Sequence, residues 1–199
     1  MRNRSLHLLW LSFACFVALS AAAPGIASEG YLRPVMSADG KTFPVARSSW
    51  YSVINFRNDW HAPRMRFYPG IGWIQDGFHE GNDIFAEPGT PIRAVLGGRV
   101  ENLGWTFYSG WRVGVRGDDG RYWFYAHMRR FVPGLAIGSN LEAGTIIGEV
   151  GNTGYGEEPG HSNEFTYHLH IGIQEPSGEW VDPYPLMRKL YRRSVENTR

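Results

Sequence analysis

From Gly77 onward, short runs of β-branched and aromatic residues alternate with glycine-centred turns, a pattern that leaves little room for long helices. The clearest example is the stretch 111–128, "WRVGVRGDDGRYWFYAHM", in which two apolar runs flank the turn residues 117–120. Glycine and aspartate in so short a link favour a β-hairpin. The same pattern recurs in the stretches 90–105 and 137–154, and residues 167–174 form one further predicted strand. Strands at this spacing predict one all-β domain, a small antiparallel barrel or sandwich.

The composition is that of a globular protein rather than a disordered one. Of the 199 residues, 43% are hydrophobic and 20% are charged, and the length suits a single domain with its own core. The formal net charge of +1 predicts no strongly basic surface of the kind that binds nucleic acid. We expect no nucleic-acid partner and a monomeric protein.

Residues 1–27 have the features of an export signal. Two arginines precede a largely apolar run over residues 6–19, and small residues follow it. Cleavage after Ala27 is favoured over cleavage after Ala23, because Pro24 would directly follow the second cut. The apolar run is short for a membrane span, so an uncleaved anchor is the less favoured alternative. We expect an exported protein, in the periplasm, the cell wall or the extracellular space, with no membrane span in the mature chain.

The rest of the chain divides into three predicted segments. Residues 28–72 are polar and aromatic with scattered proline and glycine, and they are expected to form an irregular lead-in with one or two strands. Residues 73–185 carry the strand pattern and form the predicted domain. Residues 186–199 are expected to form a short C-terminal helix or tail, and Pro185 suits a first helical turn.

Two histidines one residue apart lie in the apolar stretch "YHLHIGI", residues 167–173. In a β-strand, residues i and i+2 share a face, so His168 and His170 would project side by side while Leu169 faces the core. The pair is either an exposed strand face or a metal site, since imidazole is the commonest protein metal ligand. Signal cleavage would remove Cys15, the one cysteine, so a metal site would need histidine and carboxylate ligands.

Two further groups have the chemistry of a metal or proton-transfer site. His79 and Asp83 are four residues apart at the entry to a predicted strand, and His127 ends the predicted strand 122–128. Alone, each also fits an ordinary role as a solvated loop residue or a hydrogen-bonded rim residue. The chain contains no G-x-S-x-G elbow, no P-loop and no H-E-x-x-H helix that would favour another chemistry.

An H-x-x-x-D, a histidine at a strand end and a closing H-x-H, in this order along a mostly β chain, resemble the lysostaphin/LytM-type zinc peptidoglycan endopeptidases. The resemblance runs over most of the mature chain. Five stretches carry it: "DWHAPR" (59–64), "HEGNDIFAEPGTPIRAVLGGRV" (79–100), "YWFYAHM" (122–128), "LEAGTIIGEVGNTG" (141–154) and "HLHIGI" (168–173). The fold that it implies is the LytM type, also called the duplicated hybrid motif.

The resemblance implies one zinc ion (Zn²⁺) per chain, held by His79, Asp83 and His170, with water in the fourth position. It implies that His127 and His168 exchange protons and stabilise the tetrahedral intermediate without necessarily binding the metal. The implied reaction is hydrolysis of peptide bonds in peptidoglycan stem peptides or cross-links by a zinc-activated water.

Several residues are candidates for the substrate groove. The loops 105–111 and 154–167 would form its walls, and His61 and Arg64 either line it or belong to a structural turn. We expect His161 to be a solvated loop residue. No tyrosine is assigned to stabilise the oxyanion.

The alternative function is a non-catalytic module of the same type that binds the cell wall or regulates an amidase. Such a module is expected to have lost ligands, whereas all five site residues are present. A metal cupin would leave His79 and Asp83 unexplained, and the D-alanyl-D-alanine-type zinc peptidases space these two residues more widely. The peptide bond that is cut, whether D-Ala–diaminopimelate, glycyl-glycine or another, does not follow from the sequence.

Overall fold

A computed structural model describes residues 30–50, 52–162 and 165–197. The predicted export signal, residues 1–27, lies outside the described residues. Within the described ranges, no helix combines the length and the apolar character needed to cross a bilayer.

The described residues form eleven strands and one helix. They are β1 (Pro63–Tyr68), β2 (Gly72–Phe78), β3 (Asn82–Phe85), β4 (Pro91–Arg93), β5 (Gly98–Thr106), β6 (Gly110–Gly117), β7 (Tyr122–Phe131), β8 (Asn140–Leu141), β9 (Ile146–Val150), β10 (His168–Gln174), β11 (Trp180–Val181) and α1 (Tyr184–Glu196). The strand pairs are antiparallel. The predicted all-β class with a short C-terminal helix is confirmed.

Most of these strands belong to one sheet. In the described part of the chain it has nine strands, with the main path β11-β10-β7-β6-β5-β8, while β3 pairs with β10 and β9 joins β7 to β4. The hairpin predicted at 111–128 is formed by β6 and β7, and the N–H of Gly120 donates to the carbonyl of Gly117 at 2.8 Å across the turn. The strands β1 and β2 form a separate two-stranded hairpin.

The core is formed by the apolar face of the large sheet. Trp123 and Tyr125 of β7 and Leu169 of β10 are fully buried, so Leu169 faces the core as predicted. The helix α1 covers this core with Met187 and Leu190. Pro185 lies in its first turn, where the missing N–H removes no helical hydrogen bond.

The N-terminal lead-in is irregular but packed against the domain. Phe43 and Val45 are buried in the common core, and Asn55 and Phe85 form an isolated bridge. The hairpin of β1 and β2 crosses the predicted boundary at residue 72. The division of the chain into three segments stays a prediction.

Candidate active site

The register of β10 brings two predicted ligands together. On one side β10 pairs with β3, where His170 lies opposite Asp83, and on the other side it pairs with β7, where His170 lies opposite Ala126. Directly opposed residues of antiparallel strands share a face, so these three side chains point the same way. The small side chain of Ala126 leaves space beside the imidazole.

His79 joins this pair from the residue after β2. Its N–H donates to the carbonyl of Ala62 and its carbonyl accepts from the N–H of His61, both at 2.9 Å. Its Nε2 lies 2.9 Å from His170 Nδ1 and 3.1 Å from Asp83 Oδ1. The third side of the triangle, between His170 Nδ1 and Asp83 Oδ1, measures 3.0 Å. Three potential ligand atoms therefore converge on one point.

The three atoms fit a metal ion. Donors about 3 Å apart can all reach one ion at the ~2.0–2.2 Å of zinc–nitrogen and zinc–oxygen bonds. His79 Nδ1 lies 3.0 Å from the main-chain oxygen of Asp59, so in the neutral ring this nitrogen carries the proton and Nε2 presents a lone pair. Lone pairs and an anionic oxygen that face one another are stabilised by a cation between them. Three protein ligands are also typical of catalytic rather than structural zinc sites.

The electrostatics favour the protonation states that bind a metal. Burial by itself raises the pKa of Asp83, but the contacts with His170 and His79 outweigh burial and hold this pKa well below its usual range. Burial lowers the pKa of His170, against the opposing effect of Asp83. A charged carboxylate and a neutral imidazole are the forms that coordinate a divalent ion.

Asp59 is a functional candidate that the sequence analysis missed. Besides its main-chain contact with His79, its Oδ2 lies 3.4 Å from His79 Nδ1. Its Oδ1 accepts from Asn82 Nδ2 at 2.6 Å, and the N–H of Asp83 donates to Oδ2 at 3.4 Å. Asp59 thus orients the ring of one candidate ligand and the backbone of the next. Its one sequence signal is its place in "DWHAPR", a block in which His61 and Arg64 were considered for the groove but no role was attached to Asp59.

A bulge in β7 determines where His127 points. Trp111 pairs with Met128 and Val113 pairs with Tyr125, so β7 has one residue more than β6 between these pairs. His127 lies in this bulge with a φ of 59°, in the left-handed region of backbone conformation that residues other than glycine rarely adopt.

The bulge turns His127 toward the candidate ligands. In a regular strand it would face away from the side shared by Ala126 and His170, because successive side chains alternate. Instead, its ring centroid lies 4.8 Å from that of His168 and 6.0 Å from that of His170. The structure therefore brings all five predicted site residues together, although their roles stay predictions.

The two site histidines that are not candidate ligands, His127 and His168, each have one ring nitrogen close to a main-chain carbonyl. Nδ1 of His127 lies 2.8 Å from the carbonyl oxygen of Thr153, and Nδ1 of His168 lies 2.7 Å from that of Thr166. Burial, and to a lesser degree the neighbouring imidazoles, lower the pKa of His127 to about 3, so this ring is neutral near pH 7. With Nδ1 protonated, Nε2 of each ring is the nitrogen that can accept or return a proton.

Aromatic residues from two loops surround His127. Tyr155 lies parallel to its ring with centroids 6.3 Å apart, and Phe165 contacts it edge-on at 5.2 Å. Tyr108 packs against Tyr155 at 5.9 Å. We call Tyr108, Tyr155 and Phe165 the aromatic wall. They belong to the two loops that the sequence predicted as groove walls.

The environments of His61, His161 and Arg64 differ from one another. His61 stacks on Trp60 with ring centroids 4.3 Å apart, and Arg64 Nη2 lies 3.5 Å from Asp83 Oδ2. His161 is exposed in its loop, in line with the predicted solvated position.

Comparison with known families identifies the chain. The sequence-family model described as Peptidase family M23 matches residues 77–183, which are more than half of the chain. This region includes the five site residues. The chain belongs to peptidase family M23. The resemblance to the lysostaphin/LytM-type peptidases is thereby confirmed, and Asp59 and Arg64 of this M23 peptidase lie outside the matched region.

Two curated relatives carry endopeptidase names. The L-Ala--D-Glu endopeptidase of Bacillus subtilis is 39% identical over 153 residues, which are 75% of this chain and 44% of the relative. The glycyl-glycine endopeptidase ALE-1 of Staphylococcus capitis is 39% identical over 121 residues, 58% of this chain and 30% of the relative. The M23 chain thus spans less than half of either relative's length.

Solved structures share the fold. A LytM protein from Ruminococcus gnavus superposes with a TM-score of 0.62 at 32% identity, covering 80% of this M23 chain and 61% of its own. The catalytic domain of lysostaphin from Staphylococcus simulans gives a TM-score of 0.50 at 26% identity, covering 69% of this chain and 92% of its own.

Proposed function

We propose that this M23 peptidase is an exported zinc metalloendopeptidase that hydrolyses peptide bonds in the stem peptides or cross-links of peptidoglycan. The observation that carries the proposal is the convergence of His79, Asp83 and His170 on one point, with His127 and His168 beside them. The endopeptidase names of two relatives support a peptide substrate, and they differ in the bond that they specify.

Each part of the site has a role in this proposal. One zinc ion per chain, held by His79, Asp83 and His170, would polarise the scissile carbonyl and activate water. His127 and His168 would take the proton of the nucleophile and deliver a proton to the leaving amine through Nε2. The Nδ1 contacts with main-chain carbonyls keep both rings oriented for this transfer.

Digestion of purified sacculi tests the proposal. We expect soluble fragments whose masses correspond to cleaved peptide bonds, no release in the presence of a chelator, and recovery when zinc is added back. Cleavage in the glycan strands, or undiminished release in excess chelator, would contradict it. Binding to sacculi without any release would instead indicate the non-catalytic module.

Export and a monomeric state are separate parts of the proposal. Export is supported by the predicted signal, and it places the enzyme in the compartment of its substrate. The N-terminal sequence of the mature protein recovered outside the cytoplasm is expected to begin at Ser28. Light scattering of that protein is expected to give the mass of one chain.

A further inference from the structure

The strand β1 presents a cationic side chain at the edge of the candidate metal centre. Arg64 Nη2 lies 3.5 Å from Oδ2 of Asp83, whereas the oxygen that faces the two imidazoles is Oδ1. The side chain of Arg64 is 42% exposed, and that of Asp83 is 11% exposed. The guanidinium therefore contacts a buried carboxylate, while part of the Arg64 side chain remains accessible to solvent.

The alternation of side chains along β1 places Arg64 on the face that is turned to the site. Arg64 and Arg66 are half-buried, while Met65 and Phe67 between and after them are exposed. The guanidinium of Arg66 lies 4.8 Å from the ring centroid of Tyr108 in the aromatic wall. A peptide at the metal centre would therefore lie near Arg64 of β1 and near the aromatic loops.

The two arginines differ in the charges that neutralise them. Arg66 pairs with Asp76 across the hairpin at 2.6 Å. The ion pair that the structure records for Arg64 is with Asp83, a candidate metal ligand. A cation bound at Oδ1 would neutralise part of the negative charge of Asp83. The positive charge of Arg64 would then be less compensated, so Arg64 would attract an anionic group of the substrate.

Given the endopeptidase activity proposed above, we propose that Arg64 binds a carboxylate next to the scissile bond and makes the site prefer an acidic residue on the leaving-amine side. A glutamyl residue whose side-chain carboxyl forms the onward amide bond retains a free carboxylate on its α-carbon. That carboxyl carbon lies about 2.5 Å from the leaving nitrogen. A glycyl-glycine bond offers no such group.

The geometry matches this substrate class. A scissile carbonyl at the metal centre places the α-carboxylate of the leaving residue within a few ångströms of the candidate ligands, where Arg64 already contacts a carboxylate. A guanidinium binds a carboxylate through two parallel hydrogen bonds, and partial burial strengthens them. The relative named L-Ala--D-Glu endopeptidase acts, by its name, on a bond of this chemical type.

The test compares two synthetic peptides that differ in one group. Both contain L-Ala–D-Glu joined through the γ-carboxyl to L-Lys, with the α-carboxyl of the glutamate free in one and amidated in the other. For the wild type at saturating zinc, kcat/KM for the free acid is expected to exceed that for the amide at least about tenfold. In Arg64→Gln the two kcat/KM values are expected to agree within about twofold, because kcat/KM for the free-acid peptide falls while that for the amidated peptide stays the same.

Two controls separate substrate recognition from support of the metal. The zinc content of Arg64→Gln, measured on the assayed sample, is expected to equal that of the wild type. Arg66→Gln is expected to retain the preference for the acid, because Asp76 already neutralises Arg66.

The possible failures are distinct. Equal wild-type rates on both peptides, a proportional loss on both in Arg64→Gln, or faster cleavage of pentaglycine would overturn the role of Arg64. If sacculi are digested only at bonds whose leaving residue has no carboxylate on the carbon that bears the nitrogen, such as glycyl-glycine bonds, the endopeptidase proposal stands and the acidic preference falls. If neither peptides nor sacculi are cut, both proposals fail.

Discussion

At the scale of single residues, the five side chains of the site form two groups. Three are candidate metal ligands whose donor atoms lie close together, and two are neighbouring histidines. His79, Asp83 and His170 form a triangle of ligand atoms, each about 3 Å from the next. His127 and His168 each have Nδ1 at a main-chain carbonyl. Substitutions in the two groups are therefore expected to have different consequences for metal content.

His170→Ala is expected to lose zinc and activity together, because it removes one corner of the ligand triangle. Elemental analysis of the purified variant, beside a sacculus-digestion assay, measures both. His161→Ala, in an exposed loop position, is the matched control and is expected to keep one zinc ion per chain. A full zinc content in His170→Ala would show that His170 is not a zinc ligand.

His168→Ala and His127→Asn are expected to keep their zinc and to lose about 10²- to 10⁴-fold in kcat, the usual contribution of a general acid or base. Asparagine is chosen at position 127 because it tolerates the left-handed backbone found there. Zinc analysis and kcat on the same samples decide the outcome. If either variant kept its full kcat, that histidine would have no role in proton transfer.

Asp59→Ala is expected to weaken zinc binding by about 10- to 100-fold, because Asp59 orients His79 and holds the backbone N–H of Asp83. Competition with a chromogenic chelator measures the change in affinity. Asp39→Ala is the control, since Asp39 is an exposed carboxylate on a turn beside Lys41. Unchanged affinity in Asp59→Ala would show that its main-chain carbonyl alone positions His79.

At the scale of the elements, β10 is the strand on which the site depends. It is flanked by β3 and β7, and its register sets His170 opposite Asp83 and Ala126. A slip of one residue would turn both histidines to the core face. Gly81, just before β3, packs against the His170 ring so closely that a Cβ there would collide with it.

Leu169→Ala is expected to lower the free energy of unfolding by about 2–5 kcal/mol, because Leu169 is fully buried between the two histidines on the opposite face of β10. Urea unfolding at saturating zinc measures this loss. Ile137→Ala, at a position 66% exposed, is the control and is expected to change stability by less than about 0.5 kcal/mol. A small effect at Leu169 would mean that the register of β10 is held by its hydrogen bonds alone.

At the scale of the whole molecule, the candidate metal centre joins parts of the chain that are far apart in sequence. His79 follows the β1–β2 hairpin, Asp83 lies in β3, and His170 lies in β10 near the end of the domain. An ion bound to all three would cross-link these elements in the folded state and stabilise it by mass action.

Removal of zinc is therefore expected to lower the Tm, and the Tm is expected to rise with zinc concentration above the Kd. At a thousandfold excess over Kd, linkage predicts about 4 kcal/mol of stabilisation. Differential scanning calorimetry over a zinc series measures it. The Tm of His170→Ala is expected to be insensitive to zinc over the same series, and a parallel rise in that variant would place the effect at another site.

Much of the fold and of the candidate site was predictable from local patterns. The β6–β7 hairpin has its turn residues between apolar runs, and the alternation in "YHLHIGI" predicted that Leu169 would be buried. The five site residues were chosen from their spacing together with a family resemblance. Asp59 could not be chosen in this way, because a lone aspartate in an irregular segment has no periodicity to mark it.

The sequence by itself determined the all-β class and the short C-terminal helix, because these depend on short-range periodicity. The five candidate site residues followed from their spacing only together with a family resemblance. Only the tertiary structure decided the bulge that turns His127 toward His168, the pairing of β4 with β9, and the approach of Asp59 and Arg64 to the candidate ligands. These features depend on strand register and on contacts between distant segments. Such contacts are selected by burial and hydrogen bonding in the folded chain, so no local stretch of sequence specifies them.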